Sequence, residues 1–118
     1  MAESRVNQAR AELADRIRAL LVGDSPEQKR MFGSIAFLVG GRLLVAAWGE
    51  GDLLVRVDPE CSPDLRVRHR ARIAEMGPSR RTMGPSWLTV DAVEIADDDR
   101  LLFWIDVARE YHAGVERP

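Results

Sequence analysis

The sequence predicts an α+β protein of two layers, in which an antiparallel sheet of about five strands carries helices on one face. Near both ends of the chain, apolar residues recur every three or four positions, which is typical of amphipathic helices. Between these segments, short apolar runs are separated by Gly-Gly and Gly-Glu-Gly, which is typical of strands joined by tight turns. The predicted order is α-β-β-β-α-β-β-α. A chain of 118 residues can bury a core of its own, so we expect one domain over residues 1–118.

The first predicted element is a helix over residues 5–22. Its apolar residues share one helical face: Val6, Ala9, Leu13, Ile17, Leu20 and Leu21. Gly23 and the following Asp24-Ser25-Pro26 should end this helix, because glycine and proline are typical of the residues that follow a helix.

Three strands should follow the first helix, at residues 35–39, 43–48 and 53–57. Gly40-Gly41 is expected to form a two-residue hairpin turn, since such turns need residues that accept positive φ angles. A second turn is expected at 49–52. Pro59 should end the third strand because proline has no N–H to donate to a neighbouring strand.

Two signals conflict in residues 61–76. Ser62-Pro63-Asp64 is typical of a helix start, with Ser62 as the N-cap and Pro63 at the first helical position. From Arg66 onward, however, arginine occupies every second position, and a period of two favours a strand. We expect a short helix over about 62–69 and a strand over about 71–76, but whether 66–72 is helix or strand stays open.

The last two predicted elements are a strand over 86–93 and a helix that begins at Asp97-Asp98-Asp99. The strand is rich in residues that favour β structure. Aspartates at the start of a helix accept bonds from its free N–H groups and stabilise the positive end of its dipole. The helix then carries Leu101, Leu102, Ile105, Ala108 and His112 at helical spacing, and Gly114 is expected to end it.

The bulk composition excludes several classes of protein. A formal net charge of −2 argues against a chain that coats nucleic acid through its overall charge. The single cysteine, Cys61, excludes an internal disulfide and a cysteine-based zinc site. No apolar run reaches the length of a membrane span, and the N-terminus lacks an apolar signal core. We therefore expect a cytoplasmic protein without membrane association.

Catalytic and metal-binding patterns have little support. Cys61 with His69 or His112 is the only candidate for a nucleophile and base, and no third group has a spacing that would orient the base. The histidines do not have the spacing of metal ligands, and helix capping explains the aspartates at 97–99. The glycine pairs connect strand to strand, so no helix N-terminus follows them to receive a phosphate. We expect no enzyme activity, no cofactor and no metal ion.

Arginine clusters provide the candidate binding surface. Residues 66–81 hold six arginines against one glutamate, a local charge of +5, whereas 91–106 hold six acidic residues against one arginine, a local charge of −5. The candidate surface for a partner or an anion consists of Arg66, Arg68, Arg70, Arg72, Arg80 and Arg81.

The geometry of this basic segment depends on the open helix or strand assignment. A strand would place the first four arginines on one face, and a helix would split them into the pairs 66/70 and 68/72. Three roles stay open for these charges: pairing with the acidic segment in one chain or between copies, binding a protein, or binding nucleic acid. Aromatic residues, usual in single-strand binders, do not interleave with the arginines.

Large apolar residues are expected to build the core, and their set comprises Met31, Phe32, Phe37, Trp48, Trp87 and Trp104. The exception to look for is an exposed sheet edge or a groove against the last helix. Either would suit a partner helix or a homodimer.

Five segments also match one family pattern in order: Arg30-Met31-Phe32-Gly33, Ile35–Val39, Leu53–Glu60, Arg81-x-Met83 with Trp87–Val90, and Ala96–Ile105. In these segments the chain resembles the N-terminal domain family of the bacterial TfoX (Sxy) competence regulators. The family-motif residues carried over as structural are Met31, Phe32, Gly33, Gly40, Gly41 and Trp87. The chain departs from the pattern at Ser34 and Arg80, where the family has glycine, and between Glu60 and Trp87.

The resemblance implies a two-layer fold like that of secretion chaperones. It also implies a non-enzymatic regulatory or interaction role, for which we expect a protein partner, with nucleic acid as the alternative. Full-length competence regulators of this family carry a second, C-terminal domain, and the present 118 residues are expected to hold only the first.

Overall fold

The computed structural model describes residues 2–31, 33–76 and 79–116 and confirms the predicted α+β class. The helices are α1 (Ala2–Leu20), α2 (Ser62–Arg68) and α3 (Asp98–Glu116), and the two 3₁₀ turns are Val22–Asp24 and Ala92–Ile95. The strands are β1 (Glu27–Met31), β2 (Ser34–Val39), β3 (Arg42–Trp48), β4 (Asp52–Arg56), β5 (Ala71–Ile73), β6 (Glu75–Met76), β7 (Arg81–Thr82) and β8 (Trp87–Val90).

Six of these strands form one antiparallel sheet in the order β1-β2-β3-β4-β8-β5. The other two, β6 and β7, form a ribbon that continues the β5–β8 pair beyond the main sheet. The ribbon begins at Ala74, whose N–H donates to the Trp87 carbonyl at 2.8 Å and whose carbonyl accepts from the Met83 N–H at 2.8 Å.

The Gly40-Gly41 turn between β2 and β3 is confirmed. Both glycines have positive φ angles, +60° and +79°, which are the angles of a two-residue hairpin turn that twists with its strands. Further along β3, Phe37 pairs with Val45 and Leu38 with Leu43, so Leu44 is an extra residue. This bulge places Leu44 and Val45 in the same apolar cluster.

The main core lies between the sheet and the three helices, as predicted. Its fully buried side chains come from all layers: Ile17 of α1, Val45 and Leu53 of the central strands, Leu88 of β8, and Leu101 and Ile105 of α3. Burying such side chains is the main favourable contribution to folding, at about 1.5–3 kcal/mol for each.

A second apolar cluster covers the other face of the sheet. Small and medium side chains form its buried floor: Ala36, Leu38, Ala46, Leu54 and Ala74. Larger, half-buried side chains lie against that floor: Met31, Leu43, Trp48, Met83 and Trp87. Within the described chain, no helix contributes to this cluster, so the sheet's own side chains and the ribbon cover this face.

The predicted set of large core residues therefore divides in three. Phe37 and Trp104 are buried in the main core, as expected. Met31, Trp48 and Trp87 are half-buried on the opposite face, where the Trp48 indole N–H donates to the Thr89 hydroxyl at 3.0 Å. Phe32 lies outside the described residues.

Three arginines hold the helices to the rest of the fold. Arg10 of α1 donates to the carbonyl of Gly49 at 2.9 Å and to that of Gly33. Arg16 of α1 pairs with Asp98 at 3.0 Å. Arg109 of α3 donates to Asp24 at 2.6 Å and to the carbonyl of Leu20, at the end of α1, at 2.8 Å.

The expected helix over about 62–69 and strand over about 71–76 are confirmed by α2 and by β5 with β6. Arg70 separates them at a φ of +55°, a left-handed conformation that interrupts both kinds of element. The alternation of arginines thus spans a helix, a break and a strand. The four arginines neither share one face nor split into two helical pairs.

Two predictions about helix ends were wrong. Ser62 is the first residue inside α2, and its side chain caps nothing; Cys61 is the N-cap residue. Gly114 does not end α3, which continues to Glu116. The main sheet has six strands, because the charged segment Glu27–Met31 adds β1 at its edge. The predicted cap of α3 is confirmed, since Asp97 accepts from the Arg100 N–H at 2.8 Å.

Candidate interaction site

The basic segment 66–81 lies at one edge of the sheet, where most of its arginines have partners within the fold. Arg66 donates to the Ser62 carbonyl at 3.4 Å, and Arg68 pairs with Asp64 at 2.9 Å along α2. These are contacts inside one helix, so they hold the two guanidinium groups near the α2 surface.

Two further arginines pair with the acidic segment 91–106. Arg72 of β5 pairs with Asp91, and Arg70 lies 3.8 Å from Glu94. Arg100 lies 3.5 Å from the same glutamate, whose side chain is only 14% exposed. The opposite charges seen in the sequence thus meet within one chain at this edge.

Asp52 lies beside the Arg72–Asp91 pair and accepts a hydrogen bond from the Ala92 N–H at 3.0 Å. Partial burial raises the pKa of this carboxyl above its ordinary value, and the bond from Ala92 opposes that rise. The carboxylate of Asp91 adds to the rise, and the guanidinium of Arg72 opposes it.

Arg80 and Arg81, on the ribbon, differ from the other four arginines. Both are exposed, and neither forms an ion pair within the described part of the chain. Arg80 has a φ of +52°, so a residue other than glycine occupies a turn position of left-handed conformation.

The candidate catalytic residues have different surroundings in the described structure. Cys61 is exposed at the start of α2. His69, at the end of α2, packs against Phe103, with ring centroids 4.4 Å apart, and against Trp104. Among the described residues, no group of three or more His, Cys, Asp or Glu side chains is placed to hold a metal ion.

A groove lies between the start of α2 and one face of α3, with a volume of about 560 Å³. Its floor is apolar and consists of Leu65, Phe103, Val107 and Tyr111. Its rim is acidic and consists of Asp58, Glu60, Asp64 and Glu110, with Cys61 between them. We call this feature the acidic groove.

Helix geometry explains how α3 lines the acidic groove. Phe103, Val107, Glu110 and Tyr111 are spaced by four, three and one, so they lie on one face of the helix. Phe103 is 37% exposed although its ring contacts His69 and Trp104. Tyr111 is half-buried, and the guanidinium of Arg56 lies 5.1 Å from its ring centre. The two aromatic rings are therefore held in place before any ligand arrives.

The charge of the acidic groove is strongly asymmetric. Four carboxylates line it, whereas no arginine, lysine or histidine does. Asp64 pairs with Arg68 outside the groove, and Asp58 accepts from the Glu60 N–H at 2.9 Å. Glu60 and Glu110 are exposed and have no ion pair within the described residues.

A groove against the last helix was expected from the sequence in general terms, but its residues were not. The available signal was the helical spacing of Phe103, Val107 and Tyr111, which lie beside the main buried stripe of α3. The acidic rim was not visible as a pattern, because Glu60 and Glu110 are fifty residues apart.

Comparison with protein families gives one finding. The model of the TfoX N-terminal domain family matches residues 22–111. The chain belongs to this family. The match includes β1 through most of α3, and a comparison with curated proteins finds no match.

In this TfoX N-terminal domain, the family-motif residues that the structure describes, which are all but Phe32, occupy turns and the sheet face opposite the helices. Gly33 has a φ of +77°, and Gly40 with Gly41 forms the hairpin turn. Met31 and Trp87 belong to the second apolar cluster. Backbone conformation explains the glycine positions, and packing explains those of Met31 and Trp87.

None of the helices described in this TfoX N-terminal domain is both long and apolar enough to cross a membrane.

Proposed function

We propose that this TfoX N-terminal domain is a non-enzymatic regulatory module of the cytoplasm that acts by binding a protein partner. The observation that carries the proposal is the acidic groove, which combines an apolar floor with a rim of one charge. Protein interfaces typically have an apolar centre with aromatic residues and a polar rim, and this groove has both parts.

The pairing of charges at the sheet edge adds support. Arg70 and Arg72 already have carboxylate partners, so they are less available to a nucleic acid than their number in the sequence indicates. The exposed ring of Phe103, by contrast, lies in a groove lined by four carboxylates.

Light scattering after size exclusion, at about 50 mM and about 500 mM salt with and without random duplex DNA, tests the proposal. We expect no complex with DNA at either salt concentration. We also expect a protein partner, captured from cells of the source organism, to stay bound at the higher salt concentration. A DNA complex that disappears at high salt, with no such protein partner, would contradict the proposal.

The second candidate function is nucleic-acid binding through Arg80 and Arg81. The specific observation in its favour is that both arginines are exposed on the ribbon without an ion pair in the described chain. Phosphate contacts of this kind need exposed cations and weaken steeply with salt.

A matched pair of variants tests this second candidate. Arg80→Glu with Arg81→Glu should abolish DNA binding if the ribbon is the site. Lys29→Glu with Arg30→Glu makes the same change in net charge on β1, where both residues are exposed. Equal loss of DNA binding in both double variants would assign the effect to net charge rather than to the ribbon.

A further inference from the structure

We infer that the acidic groove binds a basic segment of a partner protein that inserts one or two bulky apolar side chains. The inference rests on the proposed function, and it adds the chemistry of the partner and the residues that meet it. Both parts of the partner follow from the groove, the apolar side chains from its floor and the positive charges from its rim.

Phe103 is the residue from which we infer the apolar side chains of the partner. Its ring is 37% exposed, yet it is held by the rings of His69 and Trp104 at centroid distances of 4.4 and 5.3 Å. An exposed aromatic ring that already packs against other rings loses little conformational freedom when a partner covers it, which favours its use as an anchor. Val107 and Tyr111 continue the same surface along α3.

Glu60 and Glu110 are the residues from which we infer the positive charges of the partner. They lie on the two sides of the groove, one in the loop before α2 and the other on α3. Among the described residues no cation lines the groove, and Arg68 already pairs with Asp64, so Glu60 and Glu110 are the unpaired charges that a segment placed between them meets. Arginine or lysine side chains flanking an apolar anchor complement this rim, and an acidic segment would be repelled.

The volume of the groove favours a short element. A volume of about 560 Å³ accommodates a few side chains, not a whole domain face. One turn or two of an amphipathic helix supplies an apolar anchor with basic residues on both sides, which is the common way in which a helix binds a groove.

A labelled synthetic peptide provides the first measurement. The probe has about 18 residues, about five helical turns, with leucines along one face and lysines and arginines elsewhere. A second peptide replaces every lysine and arginine by glutamate. Fluorescence anisotropy should show saturable binding of the basic peptide and none of the acidic one. Absence of saturable binding of the basic peptide up to millimolar concentration would overturn the inference.

Variants of the groove locate the binding. Glu60→Gln with Glu110→Gln should lower the affinity for the basic peptide about fivefold or more at low salt, and this loss of affinity should shrink as the salt concentration rises. Phe103→Ala should weaken binding about tenfold at every salt concentration, because it removes the apolar anchor.

Matched controls exclude bulk effects. Glu12→Gln with Glu50→Gln removes the same charge from exposed positions outside the groove. Val93→Ala shortens an exposed apolar side chain elsewhere. Both controls should bind the peptide as the wild type does. Equal weakening by the control and groove variants would overturn the inference.

Two outcomes separate this inference from the proposed function. If a partner captured from cells binds the Phe103→Ala variant and the Glu60→Gln, Glu110→Gln variant as well as the wild type, the inference fails while the proposed function stands. The wild type could instead form a dimer that dissociates in the Glu60→Gln, Glu110→Gln variant and also in the Arg80→Glu, Arg81→Glu variant. A second copy would then occupy the groove, and the inference about a different partner would be overturned.

Discussion

Arg109 offers the most direct test of how α3 is held to the rest of the protein. Its guanidinium donates to the Asp24 carboxylate through two nitrogens, at 2.6 and 3.1 Å, and to the Leu20 carbonyl at 2.8 Å. These two partners lie 85 and 89 positions earlier in the chain. Replacement of Arg109 by alanine therefore removes a contact that joins α3 to the end of α1 and to the 3₁₀ turn after it.

The burial of the pair sets the expected size of the effect. Exposed ion pairs contribute about 0.2–1 kcal/mol, whereas breaking a buried pair costs about 3–5 kcal/mol. The side chains of Arg109 and Asp24 are 30% and 28% exposed, so most of each is covered. We expect Arg109→Ala to lower the free energy of unfolding by about 2 kcal/mol, which for a chain of this size lowers Tm by about 8 °C.

Urea denaturation followed by circular dichroism measures this loss, with Arg109→Lys and Arg100→Ala as companions. The lysine keeps the charge but cannot contact Asp24 and Leu20 with a planar fork, so about half of the loss should remain. Arg100 is more than half exposed, and its replacement should change stability by less than about 0.5 kcal/mol. If Arg109→Ala were as mild as Arg100→Ala, the contact would not hold α3, and our explanation of its position would be wrong.

Three further predictions concern single side chains and the backbone. Ser62→Ala should leave stability unchanged or raise it by up to about 1 kcal/mol in a thermal melt, because the buried Ser62 hydroxyl has no hydrogen-bond partner in the described structure; a clear loss would show that the hydroxyl is bonded. Gly41→Ala should cost about 1 kcal/mol because of the φ of +79°, whereas Gly23→Ala, without a positive φ, should not be destabilising; equal effects would contradict the turn geometry. Asp52→Asn should gain stability relative to the wild type as pH rises from the ordinary aspartate pKa of 3.8 through the raised pKa of Asp52. The reason is that the folded wild type loses its extra proton in that window. If the urea midpoints of the two proteins differed by the same amount at every pH, the prediction would be refuted.

The helices and the central strands could be predicted because their patterns are local. The spacing of Leu13 and Ile17, the Gly40-Gly41 turn and the apolar run of β2 each indicate one element without knowledge of the rest of the chain. A helix start and a period of two lie side by side in residues 61–76, so a helix followed by a strand was expected there, but the assignment of 66–72 stayed open.

Elements that depend on tertiary contacts could not be predicted. β1 consists of Glu27, Gln28, Lys29, Arg30 and Met31, which show no alternation, because it pairs on one side only and both faces of its polar part meet solvent. Ser62 was misassigned as a cap because a cap depends on where the hydroxyl points, and α2 packs that hydroxyl into the protein. Gly114 was misassigned as a stop because glycine lowers helix stability without forbidding the helix.

The acidic groove shows the same limit. Phe103 and Val107 are visible in the sequence as part of a helix, but only the fold brings Glu60 next to Glu110. The six arginines were visible as a cluster, yet the sequence did not show that Arg70 and Arg72 face Glu94 and Asp91 across the sheet edge.

The charges on β1 have a consequence for the protein at high concentration. An outer strand leaves one row of backbone N–H and C=O groups unpaired, and such a row is a template on which another chain can add a strand. Glu27, Gln28, Lys29 and Arg30 all stand exposed on this strand, and charged side chains on an edge strand disfavour its pairing with another chain. The polar residues that conceal β1 from sequence analysis are thus also of the kind that disfavours edge-to-edge pairing between folded copies.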